Sequence, residues 1–469
     1  MPLCFSIENS IIKNRYDPHH YQPKFTIIEE KMNNSIFEIK TLKEISEQIK
    51  TGKTPKSGGE SYTTDNKKGI PFIRSGDINY NDELDFDKIL YIKKSVHDTF
   101  LKGSKLKKGD ILIAIVGTTI GKVSLYNYIE EANINQAIAS VRINEKIAIP
   151  QYIKTFISSN IGQEELDMIK RPVARANINL EEIGNFKIIL PPLKIQERIV
   201  KTINKSNKEI NQLKEKTINI KKTINKELLE LLKIKIKESP EMISFSEPQS
   251  HLKNKRWDAT YYQPKYQKIS EALSKSSVKF EKFGKFIEYI NYGASVKNEY
   301  TSEGIPFLRI LNIKPNKIDT SNIVYLPSEI GEKLTKSIVN EDDILISRSG
   351  TIGIVAKVPK NANGYLFGSF LIRFRVKSEF DPDFISIWLN TDICQKILKK
   401  EKIGAVQSNI TIPTIKNIEI PLLPLKEQKK IVENYNNKIK IIENNHQKSK
   451  SIKKTCLNQL EKKLLQTKK

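Results

Sequence analysis

The chain is poor in the residues that staple, ligate or cross a membrane. Its three cysteines, Cys4, Cys394 and Cys456, lie far apart with no ligand spacing, which excludes a disulfide framework and indicates a reducing compartment. Five histidines and no Cys pair leave little room for a structural zinc site. No apolar run approaches the ~20 residues that span a bilayer, and Met1–His20 has no signal-peptide core, so a cytoplasmic soluble protein is expected. Acidic residues are the other shortage: 54 Asp and Glu stand against 79 Lys and Arg, a net charge of +25. That excess points to a polyanion, nucleic acid first and an anionic membrane surface second. The hydrophobic share is 38%, yet 18 Phe, 17 Tyr and abundant Ile suffice for packed cores, which excludes wholesale disorder. A chain of 469 residues predicts two or more folding units.

What is present is present twice. RYDPHHYQPKF at residues 15–25 returns as RWDATYYQPKY at residues 256–266, a shift of 241. GIPFIRSGDIN from Gly69 returns as GIPFLRILNIK from Gly304, shifted by 235. GDILIAIVGTTIG from Gly109 matches DDILISRSGTIG from Asp342, and PLKIQERIV from Pro192 matches PLKEQKKIV from Pro424, shifted by 232. Four matches in one order with slowly falling offsets mean a duplication with a few deletions.

Both copies share one coarse order. A short strand pattern leads into a loop rich in Gly, Ser, Thr and Lys, TGKTPKSGGESYTTDNKKG in one and NYGASVKNEYTSEG in the other. IPFIR and IPFLR read as short buried strands, and Leu112–Val116 and Ile344–Ser347 as another strand closed by a Gly-Thr turn. Helical stretches follow near Pro150–Met168 and Pro382–Lys399, then an Asn-containing loop and a last strand. Each copy therefore reads as a mixed α+β domain. Each then ends in a segment without Pro or Gly, Leu193–Lys237 and Leu425–Lys469. Ile199, Ile203, Ile210, Leu213, Ile220, Ile224 and Leu231 keep a 3–4 spacing, interrupted by Ser206, Thr217 and Glu227. Rods of this length, about 65 Å at 1.5 Å per residue, need a partner in water: the other copy's rod is the favoured one, and packing of each helix on its own domain is the alternative.

Catalytic motifs are missing. GTTIGKV at Gly117–Val123 has three residues between its glycines where a phosphate-binding loop has four, and Val123 replaces the Mg²⁺-binding Ser/Thr. A tight turn between strands is the better reading. There is no Asn-Pro-Pro-aromatic or Asp-Pro-Pro-aromatic motif for amino-methyl transfer, no glycine-rich cofactor loop, and no nuclease-like acid cluster. His19 and His20 are matched by Thr260 and Tyr261 in the other copy, so they read as surface or packing histidines. No catalytic residue, metal or cofactor is expected on this chain.

The polar loops suit a duplex, where Arg bridges guanine, Asn or Gln bridges adenine, and Ser, Thr or Lys hold phosphates. The candidates in the first copy are Lys53, Thr54, Lys56, Ser57, Arg74, Ser75, Asp77, Asn79, Arg171, Arg175 and Asn177. In the second they are Ser295, Lys297, Asn298, Arg309, Asn312, Lys314, Arg348, Ser349, Gln407, Ser408 and Asn409. The loops differ while the frame is kept, as expected if each half reads a different sequence. A stand-alone methyltransferase or nuclease and a coiled-coil DNA-binding scaffold are the rival readings.

The two IPF-x-R strands with Ser75-Gly76-Asp77-Ile78, the ISRSGTIG run around Gly350, the paired PLK-x-Q-x-(R/K)-I-V helix starts and the R-x-D-x-x-x-Y-Q-P-K boxes carry a family likeness. Together they resemble the specificity (S) subunit of type I restriction-modification enzymes over nearly the whole chain. The resemblance implies two tandem target-recognition domains, 1–192 with a leading segment 1–36 and 238–424 with a linker. These would be held apart by an antiparallel coiled coil of 193–237 and 425–469. It implies a bipartite, asymmetric DNA target and two methyltransferase subunits that dock around Pro192, Leu193, Gln196, Ile199, Pro424, Leu425, Gln428 and Ile431. Restriction and motor subunits would join them, with S-adenosylmethionine, ATP and Mg bound by those partners rather than here. A specificity subunit of a combined type II system has the same form. The R-x-D boxes, with Arg15 and Asp17, read as linker or docking segments. Leu311-Asn312-Ile313 in place of Gly76-Asp77-Ile78, and an extra residue in IAIVGTTIG, argue against one shared DNA pose.

The two Pro- and Gly-free segments carry net charges of +8 and +9, which is 17 of the 25. Sequence-blind, salt-sensitive attraction is therefore expected from the long helices, and selectivity from the modestly charged loops.

Overall fold

The strand Ile111–Ala114 shows no polar alternation because both of its faces are covered. In the computed structural model, Ile111 and Ile113 face one core with Tyr152, Phe156 and Phe186. Leu112 faces a second core with Ile73, Ile78 and Ile134. The strand Ile344–Ser347 repeats the arrangement: Ile344 and Ile346 pack with Phe384 and Trp388, and Leu345 with Leu308 and Phe367. The structure describes residues 17–467 apart from 57–59, 80–82, 87, 172–175, 237–243, 247–258, 298–299 and 402–408.

The chain divides into two units, Met1–Leu213 with His446–Lys469, and Lys214–Asn445. The first has an antiparallel sheet in the order Ser46–Thr51, Ile138–Ile143, Ile111–Ala114, Val123–Leu125. A smaller sheet runs Tyr62–Thr63, Leu90–Ile92, Ile70–Ile73, Asn133–Ile134, its last pair parallel. The second unit keeps both, as Ile287–Tyr292, Leu371–Val376, Ile344–Ser347, Val355–Lys357 and as Val324–Leu326, Ile305–Leu308, Leu366–Phe367. The parallel pair is retained, Phe72 opposite Asn133 in one and Phe307 opposite Leu366 in the other.

Each helical stretch is two helices rather than one, Pro150–Ile157 with Asn160–Ile169 and Pro382–Leu389 with Asp392–Lys400. The break is an N-cap: the Ser159 hydroxyl accepts from Gly162 N at 3.3 Å and that of Thr391 from Cys394 N at 3.4 Å. Glu165, on the second of these helices, is buried, and burial pushes its carboxyl up to about 7 against the opposing charge of Lys187. Between the ordinary carboxyl value and about pH 7 the folded state thus holds the proton more tightly than the unfolded chain. Its stability is full below that window and falls as pH rises through it. Glu165→Gln is expected to flatten this dependence and to stabilise the chain at pH 8 by up to about 3 kcal/mol, read by urea unfolding at pH 5 and 8.

The R-x-D boxes dock each unit's entry onto itself. The Asp17 side chain accepts from His20 N at 3.1 Å, and His19 and His20 meet the carbonyls of Asp167 and Met168. The helix Pro23–Asn33 then buries Phe25 and Met32, so this described part of the leading segment packs into the core. Pro264–Ser274 does the same with Tyr266 and Ile269. Arg15, Arg256 and Asp258 lie outside the described residues.

The long helices are Leu193–Leu231 and Leu425–Leu464, and the boundary between units falls within both. In the first unit Glu209 pairs with Lys448. In the second, Asn445 donates to Thr217 at 3.3 Å, while Lys438 and Asn434 meet Glu227. Partner numbers fall as the first helix advances, which makes the pairing antiparallel. Thr217 and Glu227, two of the interruptions in the apolar seam, are therefore cross-helix polar contacts. The first helix stops at Leu231 although its Pro- and Gly-free run continues to Lys237. Ile234 N bonds Leu229 O and Lys233 N bonds Glu230 O, a Schellman closure with Lys233 at φ 54°. A lysine gives no sequence signal for a turn that glycine usually fills. Lys233→Gly is expected to stabilise the second unit by about 0.5–1 kcal/mol in urea unfolding. The second helix stops at Leu464, where Ser35 Oγ donates to the Leu464 carbonyl at 2.6 Å and Ile36 N to that of Gln466 at 2.9 Å. Among the described residues, no helix is long and apolar enough to cross a membrane.

Candidate nucleic-acid interface

Each IPF-x-R strand ends in a 3₁₀ turn, Ser75–Asp77 or Ile310–Asn312. The side chain at the third turn position reaches back to the backbone of the arginine: Asp77 accepts from Arg74 N at 2.8 Å, Asn312 from Arg309 N at 2.9 Å. Both residues are at most 2% exposed. Asp77 and Asn312 thus hold the turn and have no surface with which to read a base. The substitution of Leu311-Asn312 for Gly76-Asp77 leaves the turn intact, so the two arginine loops share one backbone pose. Asn79 likewise closes its own turn, its amide oxygen accepting from Glu83 N.

One backbone position in each unit ties the polar loop to the arginine turn. Gly52 N donates to Asn135 O at 3.3 Å, and Asn135 N donates to Ile73 O at 3.0 Å. In the second unit Ala294 pairs with Gly368, whose N–H donates to Leu308 O at 3.0 Å. Loop and neighbour approach so closely that a Cβ on Gly52 would stand 1.7 Å from Ile134 O, and one on Gly293 2.4 Å from Gly368 O. Lys53, Thr54, Lys56, Ser295 and Lys297 follow these glycines and are exposed. Lys53 sits over the exposed Phe100 ring at 5.9 Å, and Thr54 bonds Gln136. Lys314 is exposed on the hairpin Ile313–Lys314 with Lys317–Ile318.

The Gly-Thr turn closes the strand Ile111–Ala114 or Ile344–Ser347 as a tight hairpin, Gly117 at φ 69° and Gly350 at φ 72°. The extra residue of the first copy is absorbed in a 3₁₀ turn, Gly117–Thr119. Gln163 and Gln395 staple this turn, donating to Gly121 O at 2.9 Å and Gly353 O at 2.7 Å. The Asn-containing segment returns beside it: Val116 pairs with Asn177, and Ser349 with Asn409. In the first unit this brings Arg171 and Asn177 next to the turn, and Lys122 Nζ links the turn to Ile78 O at 3.0 Å. Gly350 reaches Ile310 closely enough that a Cβ would touch it at 3.4 Å, which places the Arg309 and Arg348 turns side by side.

The arginines are used differently. Arg74 is engaged by Asp77 through Nη2 at 2.9 Å and Nε at 3.2 Å and by Lys88 O, and the Asp77 hydrogen bond holds its guanidinium above the ordinary value. Arg171 is exposed but paired with Glu182 at 2.6 Å, which raises it as well. Arg309 lies 5.3 Å from the Tyr300 ring and Arg348 4.6 Å from that of Tyr292, neither with an ion pair among the described residues. Ser349 is buried, and its hydroxyl has no partner among the described residues. Ser75 is half-buried. Ser57, Arg175, Asn298, Gln407 and Ser408 lie outside the described residues.

Of the expected docking residues, Gln196 and Gln428 are fully buried and bonded within their own units, so neither presents a surface to a partner. Ile199 belongs to the core, and Ile431 packs against one. Pro192, Leu193, Pro424 and Leu425 are exposed. Several structural residues escaped sequence reading. Asp110 with Arg142 and Asp343 with Arg375 form matched ion pairs at 2.8 and 2.7 Å, and Gly52/Gly293 and Gln163/Gln395 match as well. The repeat itself held the signal, since each pair falls at the same offset of 232–241 as the motifs. Among the described residues no group of His, Cys, Asp and Glu is arranged to hold a metal ion.

Comparison with known proteins agrees with this frame. The family model described as type I restriction modification DNA specificity domain matches residues 34–238 and 275–454. The putative type I restriction enzyme MjaX specificity subunit of Methanocaldococcus jannaschii is 27% identical over 84% of this chain and 85% of its own length. The EcoBI specificity subunit of Escherichia coli is 34% identical over 30% of this chain and 29% of its own length. A solved structure, described as showing complex assembly and conformational transition of the type I R-M system, aligns over 92% of this chain and 96% of its own. Its TM-score is 0.47 at 15% identity. With the family model matched in both copies, the chain belongs to the type I restriction-modification DNA specificity family.

Proposed function

We propose that this chain selects the DNA sequence for a type I restriction-modification complex and carries none of the chemistry itself. Each unit reads one half of a split, asymmetric duplex target, two methyltransferase subunits add N6-methyl groups to adenines flipped from the half-sites, and restriction and motor subunits cleave unmodified DNA. S-adenosylmethionine, ATP and Mg belong to those partners. One observation carries this reading: both units build the same pair of turns on the same backbone and decorate them with different polar side chains. The docking region is reduced to the exposed Pro192, Leu193, Pro424 and Leu425 at the helix starts. The functional division proposed is 1–192, 193–237, 238–424 and 425–469, with the helical part of the first spacer ending at Leu231.

A map of methylated adenines in cells with and without this gene tests the proposal. A bipartite motif that disappears with the gene is the expected result, whereas methyl transfer by the purified chain without partners overturns it. Two readers on one spacer see half-sites at one separation, on the scale of a helical turn of ~34 Å. Removing two turns from the first long helix is expected to change the half-site spacing or abolish binding, and an unchanged recognition sequence refutes the spacer role.

A further inference from the structure

We infer that the second unit reads guanine through Arg309 and Arg348, and that the corresponding turns of the first unit do not. This rests on the sequence-reading function proposed above. An arginine that recognises guanine must hold a planar guanidinium with two N–H groups turned toward O6 and N7, and must not be consumed by a carboxylate. Arg348 meets these conditions. Its guanidinium carbon lies over the Tyr292 ring at 4.6 Å, and its Nε is buried without a partner among the described residues, which leaves the Nη edge as its outward side. Tyr292 is itself held by Ile412 N, which donates to its hydroxyl at 3.3 Å. Arg309, on the adjoining turn, lies over the Tyr300 ring at 5.3 Å and likewise has a buried Nε without a partner among the described residues. Its Nη2 donates to Asn322 O at 3.1 Å, which fixes the plane without neutralising the charge.

The first unit lacks the Arg348–Tyr292 pair and keeps the other in altered form, with Tyr62 where Tyr300 stands, since Thr63 and Thr301 pair with the matching Tyr91 and Tyr325. Ile115 and Val116 stand where Arg348 and Ser349 stand, and Thr51 where Tyr292 stands. Arg74 matches Arg309 but is engaged by Asp77, whose counterpart Asn312 carries no charge. The same backbone thus presents two braced, uncompensated arginines in one unit and none at these turns in the other. Tyr292 and Tyr300 are positioning residues, since they act through the planes of the arginines.

The test uses the full chain assembled with its methyltransferase subunits and selection of bound duplexes from a randomised library. Wild type is compared with Arg348→Lys, Arg309→Lys, Tyr292→Phe and Tyr292→Leu. Lysine keeps the charge but loses the bidentate fork, so each Lys variant is expected to lose about ten- to a hundredfold of its preference at a G·C pair in one half-site, with the other half-site unchanged. Tyr292→Phe keeps the stack and the preference, and Tyr292→Leu relaxes the same G·C pair as Arg348→Lys. If both Lys variants return the wild-type motif and bind all sequences uniformly more weakly, the arginines hold phosphates and the inference falls. It also falls if the relaxed position is an A·T pair or if both half-sites change. A wild-type complex that selects no split motif overturns the proposed function, and this inference with it.

Discussion

Replacing Gln428 with alanine is expected to destabilise the second unit by about 3 kcal/mol, and Gln196→Ala the first by a similar amount. The amide oxygen of Gln428 accepts from Asp381 N at 2.8 Å, and its nitrogen donates to Glu379 O at 2.9 Å and Leu423 O at 2.8 Å. Gln196 repeats the set with Ile149 N at 2.9 Å, Ile147 O at 3.4 Å and Pro191 O at 2.8 Å. Both side chains are 0% exposed, so water cannot replace the lost bonds without opening the unit. Truncation leaves a buried N–H at a helix N-terminus and carbonyls from two segments unsatisfied, and that desolvation outweighs the lost packing of a short chain. The two effects should add, because the sites share no partners. Urea unfolding checks this, and losses under 0.5 kcal/mol in both variants would show the staples to be dispensable.

Gly52→Ala is expected to abolish selective contact by the first unit while the second unit keeps its own. The new Cβ would stand 1.7 Å from Ile134 O and 2.5 Å from Ile134 C, both strand backbone, so no side-chain rotation can relieve the clash. Either the loop after Gly52 moves away, carrying Lys53, Thr54 and Lys56 with it, or the strand Asn133–Ile134 shifts and with it the arginine turn. Overpacking of this kind costs about 1–3 kcal/mol in stability. Losing the contacts to one half-site, at 1–3 kcal/mol per base pair, lowers specific affinity by at least about a hundredfold. Gly293→Ala, 2.4 Å from Gly368 O, is the mirror experiment for the other half-site. Competition binding with targets mutated in one half at a time reads both effects. A Gly52→Ala chain that still discriminates both half-sites would show that this loop takes no part in reading.

Much of the fold was legible in one dimension. IPFIR and IPFLR were readable as buried strands because an apolar run between turn residues has few other places to go. GTTIGKV was readable as a turn rather than a phosphate loop from its spacing alone. The site was less legible. Asp77, Asn312, Gln196 and Gln428 look like recognition or docking residues by type, yet each is consumed inside the fold. Tyr292 and Tyr300 have no signal as bracing residues until the arginines they stack on are placed beside them. The leading helix Pro23–Asn33 was hard to assign because its core partners, on Asn160–Ile169, lie more than a hundred residues along the chain.

By itself, the sequence determined the duplication, the order of strands and helices in each copy, the two long amphipathic segments and the concentration of positive charge on them. These are local or periodic properties, set by residue type and spacing. Only the tertiary structure decided which polar side chains face outward and which are spent within. It also decided where the first long helix ends and that, among the described residues, Arg309 and Arg348 are left without a carboxylate while Arg74 is not. The physical reason is that a polar group's role depends on whether its hydrogen bonds are already satisfied. The partners that satisfy them can come from distant segments: Gln428 meets Glu379 and Arg348 meets Tyr292 from about fifty residues away.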